Sequence, residues 1–191
     1  MSFELSIDEG KFLINLARNT VKEYLENGKT LKPPKDTPKK MFELCGVFVT
    51  INSIKNGEKE LRGCIGYVSP IKPLYLVVRD VARFAALEDS RFRPVGAAEL
   101  PSLVYEISVL SPMRRVLDTK EIVIGRHGLL LREGGNEGVF LPQVPVEEKW
   151  DRATYLEELC GKAGLPPHSW QNPAADLFRF TAVVFGEGKG V

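Results

Sequence analysis

Cysteine is scarce in this chain: three in 191 residues, at positions 45, 64 and 160, with no Cys-x-x-Cys pair. An odd, scattered set argues against a disulfide scaffold and against a structural zinc site. An excess of one charge is also lacking. Lys and Arg number 26 and Asp and Glu 25, a formal net charge of +1. No bulk attraction to nucleic acid or to a membrane surface follows from that balance, and only a local basic groove would supply one. Long apolar runs are missing as well. The longest, such as "LYLVV" at 74–78, fall far short of the ~18 residues of a membrane span. The first residues, "MSFELSIDEGKF", do not have the layout of a signal peptide. The expectation is a cytoplasmic protein with no membrane partner. Several chemical signatures are absent too: there is no GxGxxG, HExxH or GxSxG, and "GKT" at 28–30 has Glu23 where a phosphate loop needs glycine. No motif implies a cofactor or a metal.

What is present describes a globular protein. With 43% hydrophobic and 27% charged residues, the chain suits one domain, or one main domain with a small appendage. Residues 6–28 read as a helix. Ser6 and Glu9 form a capping box, Leu13, Leu16, Ala17, Val21 and Tyr24 recur at helical spacing, and Gly28 ends it. A lysine- and proline-rich loop follows at 29–40. Residues 73–89 and 147–165 carry helical stripes, the second built on Trp150, Ala153, Leu156, Cys160 and Ala163. Strand patterns occupy 103–111, two short runs around the glycine-rich turn of 127–143, and one final run at 176–187. Strands and helices interleave without regular βαβ units. The fold class expected is α+β, a mostly antiparallel sheet flanked by helices.

The clearest hairpin surrounds Asn56-Gly57, a dipeptide suited to a two-residue turn between β-rich runs. Residues near 44–54 are expected to pair antiparallel with residues near 59–68. An unbroken register pairs Lys55 with Glu58 and sets Cys64 across from Val49. Period-2 alternation then places Arg62 and Cys64 on the face of Cys45, Val47, Val49 and Ile51, with Leu61, Ile65, Phe48 and Tyr67 on the other. Apolar residues on both faces make this hairpin central to the sheet.

The hairpin holds "LRGCIG", residues 61–66. Two glycines flank a cysteine, and glycine in a strand interior marks the close approach of a ligand or another backbone. Arg62, ~6.5–7 Å away along the strand, would activate Cys64 as a nucleophile. The plainer alternative is a buried cysteine acting as a small hydrophobe. Asp89, Arg91 and Arg93, in "EDSRFRPV", have the chemistry of a phosphate or carboxylate clamp, or of exposed loop charges. Arg62 and this loop are expected to share one anion-attracting surface with Cys64. His127, in a turn beside Gly128, is a candidate proton carrier, or a solvated turn histidine. Gln143, in "LPQVP", is a polar group near a strand end where ligands bind. Cys160 belongs to a helix stripe and reads as core.

Taken together, "GVFVTI", "LRGCIGY", "DSRFRPV", "YEISVLSP", "GRHGLLL", "VFLPQVP", "YLEELCGKAGLP" and "FRFTAVVFGE" resemble the AMME-syndrome chromosomal-region candidate protein family over roughly residues 8–187. Ser90 stands where that family has proline, which touches loop rigidity more than chemistry. The resemblance implies one AMME-type domain over 1–191, with a larger and a smaller lobe and a cleft between them. It implies a grouping with folds that bind nucleic acids, nucleotides and peptides. It implies, from gene neighbourhoods of relatives, Memo-like and radical-SAM proteins as partners. It marks Leu61–Gly66 as the functional element. Two functions compete. One is an enzyme acting on a nucleotide or nucleic-acid base, with Cys64 and His127 catalytic and Arg62, Gly63, Gly66, Asp89, Arg91, Arg93 and Gln143 binding the ligand. The other is a non-catalytic adaptor that binds nucleic acid or peptide.

Overall fold

The structure, a computed structural model, describes residues 4–32, 34–69 and 71–187. The main elements in chain order are α1 (Ile7–Asn27), β1 (Gly46–Lys55), β2 (Glu58–Tyr67), α2 (Leu74–Leu87), β3 (Leu103–Leu110) and β4 (Arg114–Arg115). They continue with β5 (Gly128–Glu133), β6 (Asn136–Phe140), α3 (Val144–Glu147), α4 (Arg152–Lys162), β7 (Asp176–Phe180) and β8 (Ala182–Gly186). This is an α+β fold with two antiparallel four-stranded sheets flanked by helices, ordered β2-β1-β3-β8 and β4-β7-β5-β6. The chain divides into two compact units, one running to Val109 and resuming at Val183, the other Leu110–Ala182. Among the described residues no helix is long and apolar enough to cross a membrane.

In the first unit α1 begins as its sequence dictates. The Ser6 hydroxyl accepts from the Glu9 amide while the Glu9 carboxylate accepts from the Ser6 amide, and Gly28 closes the helix at φ 66°. Leu13, Leu16, Ala17 and Val21 of α1 and Val77, Val78, Val81 and Ala85 of α2 are buried in one core with Val47, Val49 and Ile51 of β1 and Ile107 and Val109 of β3. Burying such side chains contributes ~1.5–3 kcal/mol each before entropy is charged against it. The second unit has its own core of Leu129, Leu131, Tyr155, Leu156, Leu159, Cys160 and Leu177.

Three elements depart from the sequence reading. The helix expected over 147–165 is two pieces. Lys149 takes a positive φ of 57°, and Asp151 caps a fresh start by accepting from the Thr154 amide at 2.8 Å. Trp150 and Ala153 therefore leave the buried stripe, which is Tyr155, Leu156, Leu159 and Cys160. The final run of 176–187 is two strands in two sheets, divided at Thr181. The hairpin forms on its Asn56-Gly57 turn, with φ 53° and 84°, but β2 is an edge strand rather than a central one.

A cysteine clamped at a sheet edge: the candidate functional site

The register of the hairpin decides where Cys64 points. Lys55 pairs with Glu58 and the pairing runs unbroken to Asn52 and Leu61, then slips by one residue, so that Ile51 pairs with Gly63. Arg62 is the extra residue of a β-bulge. Beyond it Cys64 lies opposite Thr50, not Val49, and Ile65 takes the place across from Val49. One inserted residue moves every later side chain to the other face. Cys64 thus shares a face with Thr50 and Phe48, opposite the face that packs into the core. It is half-buried and free.

Each glycine beside it is filled from within. A β-carbon on Gly63 would stand 2.0 Å from the carbonyl oxygen of Ala85, so the backbone of α2 packs directly onto it. One on Gly66 would stand 2.4 Å from the ring of Phe48, its cross-strand neighbour.

The polar atoms of Cys64 are all engaged. The Thr50 hydroxyl donates to the sulfur at 3.3 Å. The backbone N–H and C=O of Cys64 point out of the sheet, where an edge strand lacks a neighbour, and side chains take that neighbour's place. The N–H donates to Asp89 Oδ2 at 2.8 Å, and Arg91 Nη2 donates to the C=O at 3.2 Å. Asp89 is 8% exposed. It also accepts from the Arg91 amide, from Nε at 3.0 Å and from Nη2 at 2.7 Å, a bidentate pair. Arg91, then the desolvation that opposes it, then the Cys64 and Arg91 amides act on the Asp89 carboxyl, and the balance holds it far below the usual carboxylate range. The Arg91 side chain is 54% exposed, and its guanidinium is raised chiefly by Asp89, with the Cys64 thiol acting on it electrostatically as well.

Arg62 has a different task. Its side chain is 10% exposed. Nε and Nη2 donate to the two oxygens of Glu99 at 2.8 and 3.1 Å, Nη1 to the Arg93 carbonyl at 2.8 Å and Nη2 to the Pro94 carbonyl at 3.2 Å. It fastens the bulge to the 93–99 segment, and the guanidinium that reaches Cys64 is that of Arg91. Glu99 also accepts from the Gly96 amide at 2.9 Å, and Arg62 foremost pulls its carboxyl down to about 2. Arg93 is exposed, and its charge lowers the Glu99 carboxyl further.

His127 and Gln143 belong to the second unit. His127 is 6% exposed rather than solvated, and its Nδ1 accepts from the Val123 amide at 3.1 Å. Burial first, then Arg179 and Arg126, press its pKa down, so the ring is neutral near pH 7. Gln143 precedes α3, its carbonyl accepting from the amides of Val146 and Glu147 at 3.0 Å. Thr50 and Glu99 are the participants the sequence reading missed. Thr50 comes into range only through the bulge. Glu99 carried one local signal, its spacing of three from Gly96 as in a capping turn.

These ion pairs predict an acid response. Glu99 falls from the ordinary 4.5 to about 2 on folding. Between those values the unfolded chain binds the proton and the folded chain does not. The stabilisation is complete above pH ~4.5 and is lost as pH falls toward ~2, of order 2–3 kcal/mol. Asp89 acts in the same direction. Urea midpoints measured from about pH 6 down to about pH 3 should fall, and Glu99→Gln should flatten that slope. A slope unchanged in Glu99→Gln would disprove the assignment. His127, also lowered, loses its contribution earlier, below the ordinary 6.5.

The fold and the site define a mixed α+β protein with a clamped thiol on a bulged edge strand. The chain belongs to the AMMECR1 family, whose sequence profile matches residues 14–185. It is 43% identical over 193 residues to Protein PH0010 of Pyrococcus horikoshii, covering 98% of this chain and 94% of that one. It is 44% identical over 196 residues to Protein MK0488 of Methanopyrus kandleri, covering 98% and 92%. The crystal structure of PH0010, itself described as uncharacterised, matches with a TM-score of 0.88 at 42% identity, covering 97% of this chain and 95% of that one.

Proposed function

We propose that the chain is an enzyme acting on a nucleotide or nucleic-acid base, with Cys64 as its nucleophile. The observation that carries this reading is the clamp. Three side chains, Thr50, Asp89 and Arg91, are committed to the sulfur, N–H and C=O of one half-buried cysteine. The other two cysteines are core residues. Cys45 is 4% exposed, and burial, with Glu43, pushes its thiol up to about 11. Cys160 is wholly buried and raised by desolvation. Neither is equipped for chemistry, because the thiolate is the nucleophile.

In this mechanism Asp89 and Arg91 hold the backbone of Cys64 and Thr50 orients the sulfur, so the nucleophile is placed before the substrate arrives. The exposed part of Arg91 attracts the phosphate. Arg62 and Glu99 keep the bulge, and so the register, in place. The mechanism assigns no step to His127, which is 6% exposed and whose Nδ1 accepts from the Val123 amide. Gly63 and Gly66 serve packing rather than ligand contact. That last point counts against the adaptor reading, which needs a partner's backbone to approach at the glycines.

Alkylation separates the two readings. Iodoacetamide is expected to modify Cys64 in the folded protein while sparing Cys45 and Cys160. Iodoacetate, being anionic, should react faster still, a preference that Arg91→Gln removes. A nucleoside monophosphate should protect Cys64 in the native protein and not in Arg91→Gln. Site-resolved mass spectrometry reads all three. An unreactive Cys64, or one that no nucleotide protects, overturns the enzyme reading and leaves the adaptor.

A further inference from the structure

The bulge at Arg62 also changes the company that Cys64 keeps. In a regular strand the side chain two residues back shares its face, and here that would be a cation. The extra residue breaks the alternation. Asn52 pairs with Leu61 and Thr50 with Cys64, while Val47, Val49, Ile51 and Ser53 are the buried set of β1. Asn52, Leu61, Thr50 and Cys64 therefore stand together on the face turned from the core, as two successive rungs of one ladder on that face. Opposed β-carbons on a rung are ~4.5–5.5 Å apart. The two rungs lie ~6.5–7 Å apart along β1.

The rung next to the thiol has unspent chemistry. Leu61 is 42% exposed. It is an open apolar side chain on an edge strand, following the charged residues Glu58, Lys59 and Glu60, although charge is the ordinary protection of an edge. Asn52 is half-buried, and its amide has no hydrogen-bond partner among the described residues. The same face stays polar on β3, the strand beside β1. There Ser108 alternates with the core residues Ile107 and Val109, is 3% exposed, and has no side-chain partner among the described residues. A buried hydroxyl left without a partner is costly unless a ligand or water bonds it.

We propose that Asn52 and Leu61 form the base-reading subsite beside Cys64. An adenine ring lies against Leu61 with its edge on the Asn52 amide, and its phosphate lies toward Arg91. The inference rests on the reading of Cys64 as a nucleophile toward nucleotides. The amide selects the occupant. It holds a donor and an acceptor side by side, the match for the N7 acceptor and N6 donor of adenine. A lipid chain or an apolar helix laid on this face would bury Asn52 and Ser108 unpaired.

The test reads protection of Cys64 from iodoacetamide, in the whole protein, by four probes: adenosine monophosphate, inosine monophosphate, ribose 5-phosphate and a short oligoadenylate. Inosine differs from adenosine in carrying an oxygen acceptor where adenine has the N6 donor. Adenosine monophosphate should half-protect at roughly tenfold lower concentration than inosine monophosphate, and ribose 5-phosphate should be the weakest. Asn52→Ala should erase the difference between the two nucleotides. Leu61→Ser should weaken both alike and leave ribose 5-phosphate unchanged. Neither side chain belongs to the buried core, so the unfolding midpoints should stay native. Oligoadenylate protecting more tightly than the mononucleotide supports the subsite and assigns the base to a single strand, and the reverse order supports it with a free nucleotide. If adenosine and inosine monophosphates protect equally, or their difference survives Asn52→Ala, the subsite is refuted while Cys64 and Arg91 keep their roles. If no nucleotide protects Cys64, the reading of the thiol falls and the subsite falls with it.

Discussion

Gly63→Ala is expected to destabilise the protein by about 3 kcal/mol or more, although it adds a single methyl group. The new β-carbon would lie 2.0 Å from the Ala85 carbonyl oxygen and 2.9 Å from its carbon. Both are backbone atoms within α2, so neither can rotate aside. Relief requires the helix to lift from the sheet, which opens the core shared by Val49, Ile51, Val81 and Ala85. Gly161→Ala is the control. Gly161 lies within α4 with nothing within 4 Å of an added β-carbon, and a helix interior favours alanine over glycine by ~0.5–1 kcal/mol. Urea unfolding should therefore move the two midpoints in opposite directions. A Gly63→Ala protein as stable as the native one would refute the packing explanation and return the glycine to the ligand.

The same hairpin shows what the sequence revealed and what it withheld. Local signals were legible: the Ser6–Glu9 capping box, the Gly28 stop and the Asn56-Gly57 turn are set by residues a few positions apart. The bulge was not. Its cause lies 37 residues along the chain, where Glu99 and two carbonyls draw Arg62 out of the ladder, and no local pattern announces it. Missing that one residue reversed the face of Cys64 and gave it Val49 as a partner instead of Thr50. Strand spacing pointed to Arg62 as the cation beside Cys64, whereas the bulge turns its guanidinium to Glu99 and leaves Arg91 at the Cys64 carbonyl. His127 read as a proton carrier or a solvated turn histidine, whereas the 123–127 turn folds its imidazole inward onto the Val123 amide. The break at Thr181 has neither glycine nor proline to mark it. An alternating pattern running through two strands reads as one.

Arg62→Leu should be the most damaging single side-chain change at the site, costing about 3–5 kcal/mol. Leucine fills much of the space but leaves the carbonyls of Arg93 and Pro94 without donors and Glu99 with the Gly96 amide as its remaining partner of those described above. Arg62→Lys should rescue little, because a single ammonium cannot satisfy a bidentate carboxylate and two carbonyls at once. Changing both partners, Arg62→Leu with Glu99→Gln, should be less harmful than the sum of the single changes, since the stranded carboxylate is gone. The consequence for function follows from the bulge. Without its anchor the strand can revert to the unbroken register, which would turn Cys64 toward the core and carry the thiol away from Thr50. Arg62→Leu should then slow alkylation of Cys64 even under conditions where the protein remains folded, while Glu99→Gln, which keeps the arginine and its two carbonyl bonds, should slow it less. If Arg62→Leu lowers stability and Cys64 still reacts at the native rate, the bulge does not set the register, and the thiol owes its position to Asp89 and Arg91 alone.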